Sequence, residues 1–408
     1  MFHDSTSSST DDFLFVAAVC HEHQKKRKKK RQYWVHDIFR ARLEEGEFHT
    51  LFRRLQLDER KFYKYYRMSS GKFNQLHDIL RVQLTKQHTK FRESINSLER
   101  LTVFIRFLAT GADYQTLSFN FRIGHSTIQN IVTHTSNALW ETLRNEVMPQ
   151  PTTELLQSCA KKFEELWNYP NCVAAIDGKH ITMQAPPGSG SLYFNYKKTF
   201  SVVLLAMVDA EYRFVAVDVG AYGENSDGGI FNESNMGKCL KKKTFGMPED
   251  RPITQNGEPL PYVIVGDEAF PCKTYLMRPY SGSGLPQDRR VFNYRLSRAR
   301  RVSENAFGIL CQKFRVFLNK LQIHPKNADK LVLAALCLHN FLRDDNALLS
   351  VLDEEKNVND VQILESLPRI GGKFSNDAGA VRDRFKEYFM SPAGALPWQE
   401  DTVNAGIL

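Results

Sequence analysis

Val173-Ala-Ala-Ile-Asp-Gly178 is the stretch whose reading decides the fold. Four apolar residues closed by Asp177-Gly178 read as a short buried strand. Three similar runs follow: 200–208, closed by Asp209-Ala-Glu211; 214–219, after a tight turn; and 262–265, closed by Gly266-Asp267 after a stretch rich in Pro and Gly. Helical patterns then cover about 296–319 and 326–343. Strands first and helices afterwards predict a mixed α/β domain, not a bundle.

A carboxylate just past a buried strand stands at a sheet edge, where ligands bind in many α/β folds. Asp177 and Asp267 both have that placement. Glu304 lies in Arg300-Arg-Val-Ser-Glu-Asn-Ala-Phe-Gly308, on a helix whose expected apolar side is Val302, Ala306, Ile309 and Leu310. Three carboxylates from two strands and a helix are hard oxygen ligands able to hold two hydrated Mg²⁺ ions. Each also has a plainer reading: a turn at Asp177-Gly178, a cap at Asp267, and a pairing of Glu304 with Arg300 or Arg301 one turn back. Asp209 and Asp218 end strands too, and spacing alone does not choose among the acids.

Upstream the pattern is helical. Aromatic and apolar residues recur at helical spacing over 34–66, and Met68-Ser-Ser-Gly71 reads as a turn into a further helix. Asn96 or Ser97 caps a helix that Gly111 stops; Asp113 caps a second over Tyr114–Phe121; Gly124 turns the chain and Ser126 caps a third. That is the spacing of a helix-turn-helix, at about 96–143, whose last helix enters the DNA major groove. His125, Thr127, Gln129, Asn130 and Thr133 would then face base edges and phosphates. An ordinary helical bundle shares this spacing.

The net charge of +9 hides its distribution. Residues 1–31 carry +3, 32–150 carry +5, 151–343 carry +7 and 344–408 carry −6. A basic body suits a polyanion, whose counterions it releases on binding. The run Lys25, Lys26, Arg27, Lys28, Lys29, Lys30, Arg31 cannot pack in a core and reads as a nuclear import signal or a nucleic-acid arm. The cysteines are seven, scattered and without a C-x-x-C pair, which argues against a disulfide scaffold or zinc ribbon. Cys20-His21-Glu22-His23 looks ligand-like but is too tightly spaced to close a tetrahedral site alone. No apolar run reaches the length of a membrane span, so no membrane partner is expected.

An ordered set of motifs carries a resemblance: Ala175-Ile-Asp-Gly-Lys-His-Ile181, Asn225-Ser-Asp227, Val265-Gly-Asp-Glu-Ala-Phe270, Phe292-Asn-Tyr-Arg-Leu-Ser-Arg-Ala-Arg300, Glu304-Asn-Ala-Phe-Gly308 and Leu338-His-Asn-Phe341. Together they resemble the PIF/Harbinger-type DDE transposases and the nuclease-like proteins derived from them, closely over about 165–345 and in style over the helix-turn-helix. The resemblance implies an RNase H-like α/β catalytic domain, a mixed sheet flanked by helices, behind an N-terminal all-α domain. It divides the chain into a disordered basic segment (1–33), a helical DNA-binding domain (34–150), the nuclease domain (151–345) and an acidic, partly disordered tail (346–408).

It further implies Asp177, Asp267 and Glu304 as the catalytic triad on two Mg²⁺ (or Mn²⁺) ions. Asp227 is an additional metal-site acid, although Glu224-Asn-Ser-Asp-Gly-Gly departs from the family's Gly-Ser-x-x-Asp pattern. Lys179 and His180, after the first Asp, become DNA-phosphate contacts, residues that orient the ligand, or packing residues; Arg298, Arg300 and Arg301 become DNA contacts, with Arg289, Arg290, Arg295 and Lys241 to Lys243 as further cations for a channel. The implied setting is the nucleus, and the implied activity is cutting at transposon ends with joining to target DNA. The implied partners are double-stranded DNA, a Myb-like DNA-binding protein and a second copy of the chain. A non-cutting descendant that keeps the fold and joins a nuclear complex is the alternative.

Overall fold

The computed structural model describes residues 35–87, 93–223, 227–255, 257–343, 364–366 and 375–406. The basic run at 25–31 and the Cys20-His-Glu-His23 cluster lie outside them.

Short helical turns over 37–56 lead into α1 (Glu59–Tyr66) and α2 (Ser70–Leu84). Asp58 and Ser69 cap these two by accepting from Lys61 N and Lys72 N. Phe52, Phe62, Tyr66 and Phe73 form one aromatic knot with ring centroids 4.7–6.1 Å apart. Then come α3 (Ser97–Thr110), α4 (Tyr114–Phe121) and α5 (His125–Val147). Asn96 and Asp113 cap α3 and α4, and Gly111 ends α3 in the left-handed region at φ +66°. The start of α5 differs from the sequence expectation. Gly124, not Ser126, occupies the N-cap, and no side chain caps this helix. The residue in the left-handed turn before it, Arg122, already closes α4.

After α6 (Thr153–Trp167) the sheet begins. β1 (Cys172–Thr182), β2 (Ser201–Val208) and β3 (Phe214–Tyr222) form an antiparallel meander, while β4 (Val263–Val265) and β5 (Leu276–Met277) add in parallel. The order is β3-β2-β1-β4-β5, a mixed sheet with β1 at its centre. β1 does not stop at Ile176, as its apolar run suggests. It continues through Asp177-Gly178 to Thr182 because every residue from Asp177 to Thr182 finds a partner on β2.

Period-two alternation gives the sheet two apolar faces. Ala175, Ile181, Leu204, Ala206 and Val265 belong to the core shared with α9 (Gln287–Lys313) and α10 (Pro325–Phe341). Ile176, Leu205, Met207 and Ile264 belong to a second core with α6 and the short helices α7 (Asp227–Glu233) and α8 (Asn235–Lys241). Covering both faces explains why these strands read as unbroken apolar runs. The first core also takes in the N-terminal helices, through packing of α5 on α10.

The acidic C-terminal region is not simply a tail. α11 (Asn376–Met390) and α12 (Gln399–Asn404) pack on α9, with Phe385 and Phe389 fully buried against Tyr169. Charges of α11 also tie it down: Asp383 accepts from the Tyr280 hydroxyl at 2.6 Å, and Lys386 pairs with Asp288 of α9 at 3.1 Å. The pair Glu365–Ser366, strand β6, adds to β1 at His180 and Lys179.

Candidate active site

Asp177 and Asp267 are brought together by register. Ala175 pairs with Val265 on parallel strands; Asp177 lies two residues further on within β1, on the face of Ala175, and Asp267 lies two residues past the end of β4. Gly266 permits this approach: a Cβ there would stand 3.0 Å from Ile176 Cγ2 and from the Phe270 ring. On the β4 side of β1, β4 pairs up to Ala175 and β6 pairs from Lys179, and among the described residues no strand pairs with Asp177-Gly178 there.

Asp177 is 4% exposed and Lys179 2%. The two share a face of β1, and Lys179 Nζ stands 3.0 Å from Asp177 Oδ2. Asp177 Oδ1 accepts from Gly178 N at 2.9 Å. The Lys179 ammonium also lies over the Phe307 ring of α9, 5.7 Å from its centroid. Phe307 is one helical turn from Glu304, so α9 presents Glu304 toward the same side of the sheet. Glu304 is half-exposed and pairs with Arg300, Oε1 to NH1 at 2.7 Å. Asp267 Oδ1 accepts from Ala269 N at 3.0 Å, an Asx turn that aims the loop after β4. On α9, Ser303 and Phe307 are fully buried while Ile309 is only half-buried, which rotates the apolar side from the expected one.

The structure separates these acids from the others. Asp209 accepts from Glu211 N and Arg213 N, both at 2.8 Å, and so shapes the β2–β3 hairpin. Asp218 accepts from Asn235 N ahead of α8. Asp227 opens α7 after β3.

Several expected DNA contacts are corrected. Lys179 and His180 are buried, so neither reaches a phosphate. His180 Nδ1 meets Ser201 Oγ at 2.8 Å, and burial lowers its pKa to about 4, with Lys197 adding to the effect. Arg295 is 2% exposed and bonds Gly394 O (2.8 Å), Gln399 Oε1 (2.9 Å) and Asn168 O. It fastens the C-terminal helices rather than lining a channel. Arg290 likewise donates to Val403 O. Arg301 and Arg289 are exposed, Arg298 and Arg300 half-buried, and Lys241 to Lys243 exposed.

The candidate base-reading residues form a separate region. His125, Gln129 and Asn130 are exposed, while Thr127 and Thr133 are half-buried. His125 and Gln129 border a cleft of about 520 Å³ whose far wall is residues 319–323. That segment is tied to the sheet end, because Leu321 N donates to Thr182 O and Gln184 N donates to Leu321 O.

A divalent cation suits the donors but not yet their arrangement. Asp177 Oδ2 is buried, and among the described residues the Lys179 ammonium ion is the cation that balances it. That is the setting in which a hard cation is a favourable partner. Among the described residues, no three His, Cys, Asp or Glu side chains converge to ligating distance. Lys179 and Arg300 hold two of the acids instead.

Sequence reasoning missed Lys179 as the counterion of Asp177, although the i, i+2 spacing on one strand was the signal for it. It also treated Leu338-His-Asn-Phe341 only as a marker. Asn340 Nδ2 donates to Val147 O and Phe214 O, its Oδ1 accepts from Phe214 N, and His339 Nε2 meets Tyr212 O at 2.8 Å. This motif joins α5, β3 and α10.

Residues 176–340 match the family model described as DDE superfamily endonuclease. The protein named ALP1-like from Arabidopsis thaliana is 26% identical over 294 residues, covering 70% of this chain and 71% of its own length. Antagonist of like heterochromatin protein 1, from the same plant, is 26% identical over 292 residues, covering 69% of this chain and 73% of its own. No solved structure matches the chain.

Proposed function

We propose that this relative of the PIF/Harbinger-type DDE transposases and their nuclease-like descendants is a divalent-metal-dependent DNA endonuclease. Transposon ends are its substrate, and the freed 3′-OH joins to target DNA. The observation that supports the reading is the parallel pairing of Ala175 with Val265, which sets Asp177 two residues further along β1 and Asp267 two residues past the end of β4, with Glu304 offered from α9 on the Lys179–Phe307 side of the sheet. Asp177, Asp267 and Glu304 are the catalytic acids, and Asp227 is a fourth candidate ligand at the same sheet end.

Two Mg²⁺ or Mn²⁺ ions, which Asp177, Asp267, Glu304 and Asp227 would hold, would supply a water of lowered pKa and charge stabilisation at the scissile phosphate. The chain's own part is positional. Asp177 is fixed by Gly178 N, Asp267 by Ala269 N, and Lys179 balances Asp177 until a cation does so. Arg298, Arg300 and Arg301 on α9 face the phosphate backbone. The start of α5, through His125, Thr127, Gln129, Asn130 and Thr133, contacts flanking duplex. A Myb-like protein serves as DNA-binding partner, a second copy lets two ends be cut together, and the nucleus is the setting, with the 25–31 run as import signal.

One observation favours a second reading, a non-cutting nuclear complex protein. Two of the three acids are already engaged by cations of the chain, and no three acids close a metal site among the described residues. The relative named for antagonism of like heterochromatin protein 1 points the same way, since that name denotes action on another protein.

The deciding experiment incubates DNA carrying transposon ends with the full chain and Mg²⁺, for wild type and Asp267→Ala. Cutting by wild type and its loss of at least about 10³-fold in the variant are expected, because a metal ligand removed from a two-metal centre costs several kcal/mol. Equal cutting by both sinks the triad assignment. Uncut DNA with intact end-binding leaves the second reading.

A further inference from the structure

The loop joining β1 to β2 has no role in the chemistry above, yet its surface is unusual. Over residues 184–200 it contains no Asp or Glu. Leu192, Phe194 and Tyr196 are 43%, 39% and 52% exposed, and neighbouring Tyr222 of β3 is 41% exposed. Lys197 and Lys198 are exposed beside them, with Lys197 Nζ 5.8 Å from the Tyr196 ring centroid. Tyr193 meets Tyr222 edge-on at 5.2 Å, and Phe194 meets Phe200 at 5.3 Å. Large apolar side chains gathered on an exposed loop tip mark an interaction surface.

The tip is built to stay in shape. Asn195 is 2% exposed and closes it, its Oδ1 accepting from Lys197 N (3.0 Å) and Thr199 N (3.1 Å). Its Nδ2 donates to Thr199 Oγ1 (2.9 Å) and Ser201 Oγ (3.1 Å), and Ser201 Oγ meets the buried His180 ring at 2.8 Å. The buried His180 thus supports the loop from below, its ring also 5.9 Å from that of Tyr196. The tip closes the C-terminal end of β1, beyond Asp177 in the middle of that strand. Ser201 pairs with Thr182, five residues along β1 from Asp177, which is about 17 Å at the usual rise per strand residue.

We propose that residues 192–198 together with Tyr222 form a platform on which unpaired bases of a DNA end stack, beside the edge that carries Asp177 and Asp267. The proposal rests on the DNA-cutting reading for its choice of ligand. Aromatic faces bind bases regardless of sequence, and adjacent lysines track the phosphates. Cutting near a DNA end leaves or requires unpaired nucleotides, and the platform holds them while the scissile phosphate lies at the carboxylates. The absence of acids along the loop favours a polyanion over an apolar protein surface.

The test is fluorescence anisotropy on the full chain in EDTA, so that no cutting occurs. Three DNAs are compared: a blunt duplex, the same duplex with a short 3′ overhang, and that overhang made of abasic sites. Tyr196→Ala weakens binding of the base-bearing overhang about tenfold, the size of one lost base–aromatic stack, and changes the other two less than twofold. Tyr196→Phe binds like wild type. Replacing Lys197 and Lys198 by Ala weakens all three DNAs and lowers the salt slope by about two. Unchanged thermal melting of the variants, expected for exposed positions, shows that folding is not the cause.

Equal effects of Tyr196→Ala on all three DNAs, or none on any, overturn the platform. So does loss of a protein partner from Tyr196→Ala with DNA binding intact. A Tyr196→Ala chain that binds and cuts like wild type removes the platform and leaves the endonuclease reading. A wild type that prefers base-bearing overhangs but never cuts keeps the platform and removes that reading.

Discussion

Lys179 is the residue on which the site's chemistry turns. A carboxylate as buried as Asp177 is costly without a partner, and the ammonium ion 3.0 Å away supplies one within the same strand. Replacing Lys179 with Met leaves the acid uncompensated. The expected loss is about 3–5 kcal/mol of stability without metal, the usual result of removing one member of a buried pair. Millimolar Mn²⁺ then raises the Tm of Lys179→Met more than that of wild type, since the ion takes over the balancing charge. Equal Mn²⁺ effects on both melting curves would show that Lys179 does not stand in a cation's place. Asp177, Asp267 and Glu304 were singled out by the ordered set of motifs, because an acid after a strand, or one turn from an arginine, reads equally as a turn, a cap or a surface pair. The Lys179 role was only half legible: the i, i+2 spacing puts it on the face of Asp177, but its burial depends on β2 and α9 closing over it.

Elements were legible in proportion to how locally their limits are set. Caps at Asn96 and Asp113 and the stop at Gly111 are local, and they stand where the sequence puts them. β1 ran six residues past its apolar core because its partner β2, not its own composition, carries it on. α9 starts nine residues before its pattern is evident, since its first turns bury Val291, Phe292 and Arg295 against helices far along the chain. β5 and β6, of two residues each, have no sequence signal. Arg295 is the test at this scale. Arg295→Met strands the carbonyls of Asn168 and Gly394 and the Gln399 amide oxygen, at a cost of about 2–4 kcal/mol. A lowered urea midpoint and early proteolytic release of the C-terminal helices are expected. A midpoint within error of wild type would mean that α11 and α12 are held by their apolar contacts alone.

At the scale of the whole molecule, acid pH works against the fold through two buried rings. Burial and then Lys313, Arg343 and Arg213 lower the His339 pKa to about 3, and His180 lies at about 4. Both are below the unfolded value of about 6.5, so the unfolded chain takes up more protons between those limits. Their contribution is whole above about pH 6.5 and is lost as pH falls. Glu99 and Asp329 act in the opposite sense, their pKa values being raised by burial to about 7 and about 6. Their contribution is whole below about pH 4 and fades as pH rises through 6–7. The difference between wild type and His339→Gln isolates the ring: the variant is less stable at pH 7.5 but loses less between pH 6.5 and 4.5 in denaturant titrations. Parallel curves would contradict the neutral buried ring.

The positive body fits a polyanion, but charge alone does not say what is done to it. That claim rests on Asp267 and its neighbours holding a cation, and a ligand exchange tests it most directly. In an Asp267→Cys variant the hard carboxylate becomes a thiolate, a poor ligand for Mg²⁺ and a better one for softer Mn²⁺. Cleavage of transposon-end DNA should disappear in Mg²⁺ and return in part in Mn²⁺, while wild type cuts with either ion. A variant that cuts normally in Mg²⁺, or one of wild-type stability that stays inactive in Mn²⁺, would contradict the assignment.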